Sequence, residues 1–444
     1  MTVTPAAPAR PTSVPPAHRR RHIAPLDGLR GVAVLGVLFF HAGHFGGGFL
    51  GVDLFFVLSG YLITGLLLKE AAGTGRIDLV AFWGRRARRL LPALATAVAG
   101  TLALVWAFGP PQLLRFALDD TTWVVSNLAN WHFIGDRLGY WNGSDTRVFS
   151  HLWSIAVEEQ FYLVWPLVLC LVVRSAKTGA RGTEATGARS TKATGARSTE
   201  ATGARSTKAG TRVALAAGTG ALASLGLMVA LAAPASADTT RVYEGTDTRA
   251  FSLLLGALMA TPPATGLLSR LGERTTGRIC LIPACAIGAY WALSDGQKSP
   301  SLFRGGLFLH ALAAALLIAC LARTPDGPVG RALGSAPLRW TGLVSYSLYL
   351  WHWPVFVLLG EERLGLTGWP RTAVVIAVSF AAAWLSKVLV EDPIRFRARW
   401  AKGHAGAFAL VGVFAALLSL WAAVPEPRTG QGSVDITRLT SDDG

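Results

Sequence analysis

A chain of 444 residues that is 51% hydrophobic and only 15% charged, with a mean hydropathy of +0.41, is hard to keep in water as two or three soluble domains. Its net charge of +16 would point to nucleic acid in a soluble protein, but no nucleic-acid-binding motif accompanies it and such a partner is excluded. The natural neighbours of that charge are anionic membrane lipids, and the class left is a polytopic membrane protein.

The chain opens with residues 1–22, rich in Pro, Ala and Arg and read as a disordered basic cytoplasmic tail. Apolar runs long enough to cross a bilayer as a helix then recur eleven times, near 30–45, 51–68, 90–108, 152–173, 213–233, 249–263, 279–294, 304–322, 340–360, 370–390 and 404–423. The fold expected is an all-α, polytopic transmembrane helical bundle. Across the alternate loops, 30 of the 42 Lys and Arg residues fall on one side and 11 on the other, with Lys387 inside a span. Basic loops stay cytoplasmic, so the N-terminus is placed in the cytoplasm and the C-terminus outside, in the plasma membrane. The first run follows a basic tail as a signal peptide would, but it lacks a small-residue cleavage site and is expected to be retained.

The first span carries the first chemistry. Arg30 and His41 are eleven residues apart, about 20° from a whole number of helical turns, so they share one face with an axial separation of about 16 Å. This places the arginine near the cytoplasmic headgroups and the histidine deep in the span. A histidine there is either a proton acceptor facing a cavity or a side chain that hydrogen-bonds another helix. His44 follows one turn later. Asp53, just inside the second span, either orients a histidine or caps a helix at a Gly-rich turn.

Next comes Arg85-Arg86-Ala-Arg88-Arg89, just ahead of the third span. Topology alone accounts for some of this charge. Four guanidinium groups within about one helical turn also make a phosphate clamp. The stretch Asp119–Phe133 is too polar for a span and reads as a re-entrant or interfacial helix. At the outer start of the fourth span, Ser154 and Glu158 share a face, with Glu159 and Tyr162 beside them. The paired carboxylates are either a solvated interfacial pair or groups that bind sugar hydroxyls or tune a histidine.

Residues 185–208 repeat an octad three times and read as a floppy loop, spanning about 176–211, without chemistry. The four cysteines lie in apolar runs without metal-ligand spacing, so neither disulfides nor a metal site are expected. Tyr346 to Pro354 reads as an aromatic, kinked span in which His352 is a satisfied core histidine. Glu391-Asp392-Pro393-Ile-Arg395 reads as the cytoplasmic end of a span with a proline stop.

Together these stretches resemble the acyltransferase-3 family of integral membrane O-acyltransferases. The matching pieces are Leu-Asp27-Gly-Leu-Arg30 with His41, Gly-Val-Asp53-Leu-Phe-Phe-Val-Leu-Ser59-Gly, the overlapping Arg-x-x-Arg motifs, Trp153-Ser154 with Glu158-Glu159-Gln-Phe-Tyr162, Tyr349-Leu-Trp-His352 and Glu391-Asp392-Pro, in the family's order. The resemblance implies transfer of an acyl group, most often acetyl from acetyl-CoA, to a hydroxyl of a cell-envelope carbohydrate or a secreted glycosylated molecule. It implies His41 as base or acyl carrier, Arg30, Arg85, Arg86, Arg88 and Arg89 as donor-binding groups, and Asp53, Ser59, Glu158 and Glu159 completing the site, with Asp27, Ser154 and Tyr162 in support.

The implied membrane domain covers 23–403, followed by the span 404–423 and a short extracytoplasmic tail, 424–444. Some members carry an extracytoplasmic hydrolase-like domain after such a span. A step needing that domain is expected to come from a separate partner enzyme. The rival class is a glycan or lipid transporter with a proton relay, but the sequence has no internal symmetry and its polar residues crowd into the first four spans.

Overall fold

The computed structural model describes residues 23–137, 147–185, 196–232, 239–295 and 300–398, with scattered positions between 412 and 424. The described residues form helices and no strands. In chain order the first five helices are α1 (Ala24–His41), α2 (Gly51–Thr74), α3 (Leu79–Phe108), α4 (Pro111–Val125) and α5 (Ala129–Gly135). Then come α6 (Trp153–Ala185), α7 (Ala196–Leu231), α8 (Thr240–Glu244), α9 (Thr246–Met259), α10 (Pro262–Ser269), α11 (Glu273–Ile279) and α12 (Leu281–Leu293). The last are α13 (Gly306–Arg323), α14 (Pro328–Leu333), α15 (Ala336–Leu358), α16 (Glu361–Leu364) and α17 (Gly368–Ser386), which runs on into two π-helical turns, Lys387–Glu391 and Pro393–Arg397.

Among the described residues, eight helices are long and apolar enough to cross a membrane, nine if the bent pair Thr240–Met259 and Pro262–Ser269 is one span. The protein is a multi-pass membrane protein. Those nine coincide with nine of the eleven apolar runs. The run 340–360 is α15, whose Ser, Tyr, Trp and His residues make it less apolar than the rest. The run 404–423 lies largely outside the described residues, as do the tails 1–22 and 425–444. The octad repeat differs from its expected floppy form: α6 continues to Ala185 and α7 begins at Ala196, so its described backbone is helical. Alanine, arginine, lysine and glutamate are all good helix formers, and they outnumber its glycines.

Two packing seams place the chemistry. α1 lies along α15, and α2 lies along α9. At the first seam the helices meet glycine to backbone: a Cβ on Gly31 would strike the carbonyl of Leu338, and one on Gly342 the carbonyl of Asp27. Such close approach of small residues is how helices associate where lipid gives no hydrophobic drive. The second seam is sealed by Asp53, whose carboxylate accepts from Arg249 at 2.9 Å and Ser252 at 2.8 Å, all three fully buried.

α1 carries both Arg30 and His41. Pro25 opens the helix earlier than the apolar run suggested, and Gly43, at φ +75°, closes it just past His41. Arg30 and His41 are both half-buried, Arg30 in the second turn of α1 and His41 as its last residue.

Candidate active site

The four arginines stand on the first three turns of α3 itself, not in a loop ahead of it. Asp78 caps that helix by accepting the Ala81 N–H at 2.9 Å, which starts the helix ahead of the arginines. They open onto a basic hollow of about 1440 Å³, including adjoining solvent, where Lys69 and Arg395 join them. Glu70 is the acid in its lining and pairs with Arg85 at 3.2 Å. Arg86 and Arg89 also line a second, inner and much narrower chamber, which holds Arg30, Ser59, Ser154, Glu158, Tyr162 and Tyr349. The two spaces therefore meet at Arg86 and Arg89.

Glu158 is the polar centre of the chamber. The hydroxyls of Ser59 and Tyr162 both donate to its Oε1, and Arg86 lies over the Tyr162 ring, 5.1 Å from its centre. Arg30, from α1, is within electrostatic reach of Glu158, Asp27 and Arg89. An inward carboxylate, three guanidinium groups and several hydroxyls around one chamber make a site, because such groups are costly in a membrane unless they face one another or a cavity.

The inner wall of the chamber is Ser154 and Tyr349, whose oxygens lie 2.7 Å apart. Behind that wall stand three histidines. His352 is fully buried, and its Nδ1 lies 2.6 Å from the Tyr349 carbonyl. A carbonyl only accepts, so Nδ1 carries the proton and Nε2 carries the lone pair. That Nε2 is 3.1 Å from Nδ1 of His41, which must then donate to it. The chain of donors fixes the tautomer of His41 and leaves its Nε2 as a base. His151 packs edge-on to His352, with ring centres 5.3 Å apart, and its Nε2 donates to the Leu350 carbonyl at 3.2 Å. Trp353 covers His41 at 4.5 Å and is itself held by the Arg147 carbonyl at 2.9 Å.

A family model described as an acyltransferase domain, that of the acyltransferase-3 family, matches residues 23–388. The chain belongs to this acyltransferase family. It is 35% identical over 386 residues to YrhL of Bacillus subtilis, a provisionally named peptidoglycan O-acetyltransferase, covering 84% of this chain and 55% of that protein. It is 32% identical over 381 residues to the O-acetyltransferase OatA of Staphylococcus aureus, covering 84% and 57%. With the peptidoglycan O-acetyltransferase OatA of Listeria monocytogenes the identity is 32% over 391 residues, covering 85% and 56%. The chain thus spans little more than half the length of these relatives. No solved structure matches it.

Within this family member the structure redistributes the residues singled out from sequence. Asp53 makes no hydrogen bond to His41; its carboxylate pairs with Arg249, 196 residues away, in the sealed seam with α9. Glu159 is not part of the chamber lining and lies within reach of Arg86 and Glu158. His352 is the satisfied core histidine expected, fully buried with both ring nitrogens bonded, and one of those bonds runs to His41; His151 packs beside it, while His44 turns away to Thr372 at 2.9 Å and stacks on Trp369 at 3.9 Å. The signal for His352 was present, a second intramembrane histidine flanked by Trp351 and Trp353, but nothing in the sequence tied it to His41.

The polar stretch Asp119–Phe133 forms the short helices α4 and α5, neither a span. Asp119, Asp120 and His132 have ligand atoms within 4.8 Å of one another. Arg147 already occupies that position: its Nη1 bonds Asp120 and lies 3.2 Å from His132 Nε2, and its Nη2 bonds Asp136 at 3.0 Å. Burial pushes the His132 imidazole down, and the carboxylates of Asp120, Asp136 and Asp119 outweigh it, so the net shift is upward. Burial also pushes the Asp120 carboxyl up, against the pull of His132 and Arg147.

Proposed function

We propose that this chain moves an acetyl group from acetyl-CoA, bound through its phosphates at the arginine hollow, to a hydroxyl of cell-wall carbohydrate. The observation that carries the reading is the order of the polar groups: arginine hollow, Arg86–Arg89 junction, Glu158 chamber, Tyr349–Ser154 wall, then the His352–His41 pair. Guanidinium groups at one end suit phosphate oxygens. An oriented histidine at the other suits a hydroxyl that must lose its proton. The excess of basic residues on the loops shared with the arginines supports a cytoplasmic donor side. The named activities of the relatives support peptidoglycan as the acceptor.

The chemistry asked of the chain is modest. The acceptor hydroxyl gives its proton to Nε2 of His41 as its oxygen attacks the thioester carbonyl. The tetrahedral adduct then expels the CoA thiolate, which takes the proton back from the imidazolium. His352 stabilises that imidazolium by accepting the Nδ1 proton throughout, as the third member of a base-orienting set does. Direct attack and prior acylation of His41 use the same tautomer. For the thioester to meet His41, the Tyr349–Ser154 contact opens.

The test is release of CoA thiol by the full chain in nanodiscs supplied with acetyl-CoA and soluble muropeptides, alongside detection of acetylated product. Turnover that vanishes in His41→Ala is the expected result. Absence of turnover with every acyl-CoA and acceptor tried, with acceptor transport across the disc-derived vesicle membrane instead, would give the site to a transporter.

A further inference from the structure

The last described span does not stop at its proline. It continues through Pro393 by widening into the two π turns, which accommodates a residue that has no N–H for the regular ladder. The acids of this segment are already engaged. Glu391 accepts from Ser347 and from Ser386 at 3.3 Å, and Asp392 pairs with Lys387 at 3.0 Å. Arg395 is exposed and lines the arginine hollow, within electrostatic range of Arg89 and Arg86. Its guanidinium carbon lies 4.7 Å from the ring centre of Phe396, which lines the same hollow and is 64% exposed.

We propose that Arg395 and Phe396 seat the nucleotide end of the acyl donor, Arg395 binding the 3′-phosphate and Phe396 packing on the adenine ring. This rests on the acyl-CoA reading and deepens it. Acyl-CoA is a linear molecule, with the thioester on a pantetheine arm, then a pyrophosphate, then a 3′-phosphorylated adenosine. With the arm in the chamber, the pyrophosphate falls at Arg86 and Arg89, where the two spaces meet. What remains outside is a phosphate and a flat aromatic ring, and the groups facing them are a guanidinium and an exposed phenyl ring. A lipid headgroup offers the same phosphate chemistry but has no base for Phe396. The hollow's six cations against one carboxylate also exceed what a single phosphodiester needs.

The experiment measures binding of acetyl-CoA, acetyl-3′-dephospho-CoA and S-acetylpantetheine 4′-phosphate to the full chain in phosphatidylcholine nanodiscs. Arg395→Gln is expected to weaken acetyl-CoA about tenfold and to leave the dephospho compound unchanged. Removing the phosphate from the ligand costs the wild type the same, so the two losses do not add. Phe396→Leu is expected to weaken both nucleotides about threefold and spare the pantetheine compound. Equal weakening of all three ligands, or of none, overturns the assignment. So does an Arg395→Gln effect that shows only when anionic lipid is added, which would give the arginine to a headgroup. A wild type that binds no acetyl-CoA overturns the donor reading itself, a result distinct from either. The ligand-side deletion needs no variant, so a poorly folding mutant leaves the comparison standing.

Discussion

Two carboxylates in neighbouring helices, Glu158 and Asp53, divide the molecule by purpose. Asp53 is fully buried, with a guanidinium and a hydroxyl as direct partners. Glu158 accepts from two hydroxyls, and its guanidinium neighbours stand off across a chamber. The first arrangement neutralises a charge so that two helices can pack; the second keeps a charge beside a space that a ligand can enter. Within a membrane, then, burial of an acid does not mark a site. What marks it is whether the partners close the space around the acid or line it.

The sharpest way to break this division is at the far end of the lined region. His41→Ala is expected to reduce acetyl transfer about a thousandfold with the unfolding temperature unmoved; a comparable loss of both would make His41 structural. Asp53→Ala should do the reverse, costing about 3 kcal/mol by stranding Arg249 and lowering the unfolding temperature in detergent. Asp53→Ala with Arg249→Met should regain much of that loss, since the stranded charge is gone. Glu158→Gln is expected to fold normally and lower kcat/KM for acetyl-CoA by about tenfold to a hundredfold, read by thiol release. A destabilised but fully active Glu158→Gln protein would erase the distinction.

The smallest effect belongs to the cap formed by α4 and α5, outside the spans. His132 is held above the ordinary histidine value of 6.5. A raised value in the folded state gives stability that is complete below 6.5 and fades as pH climbs through the folded value. Amide protection across residues 111–137, corrected for the intrinsic exchange rate, should therefore fall as pH rises above 6.5, and His132→Gln should flatten that slope. The raised Asp120 carboxyl acts in the same direction at lower pH.

Much of this was legible from sequence because charge and histidine stand out against apolar runs. Arg30, the α3 arginines, Ser59, Ser154, Glu158 and Tyr162 all line the two spaces. What stayed hidden is pairing over long separations. Arg249 answers Asp53 across 196 residues and His352 answers His41 across 311, and no periodicity encodes which helix lies beside which. Arg395 was masked by its proline, which reads as a stop although the helix absorbs it in π turns.

The contact between Tyr349 and Ser154 has a consequence for the cell's energy supply. A route wide enough for a thioester arm would also conduct protons and small ions down the gradients that bacteria spend on ATP synthesis and transport. On the proposed function, one phenol resting on one hydroxyl closes that route between turnovers, and the contact that yields to the donor is also the one that keeps the membrane from being short-circuited.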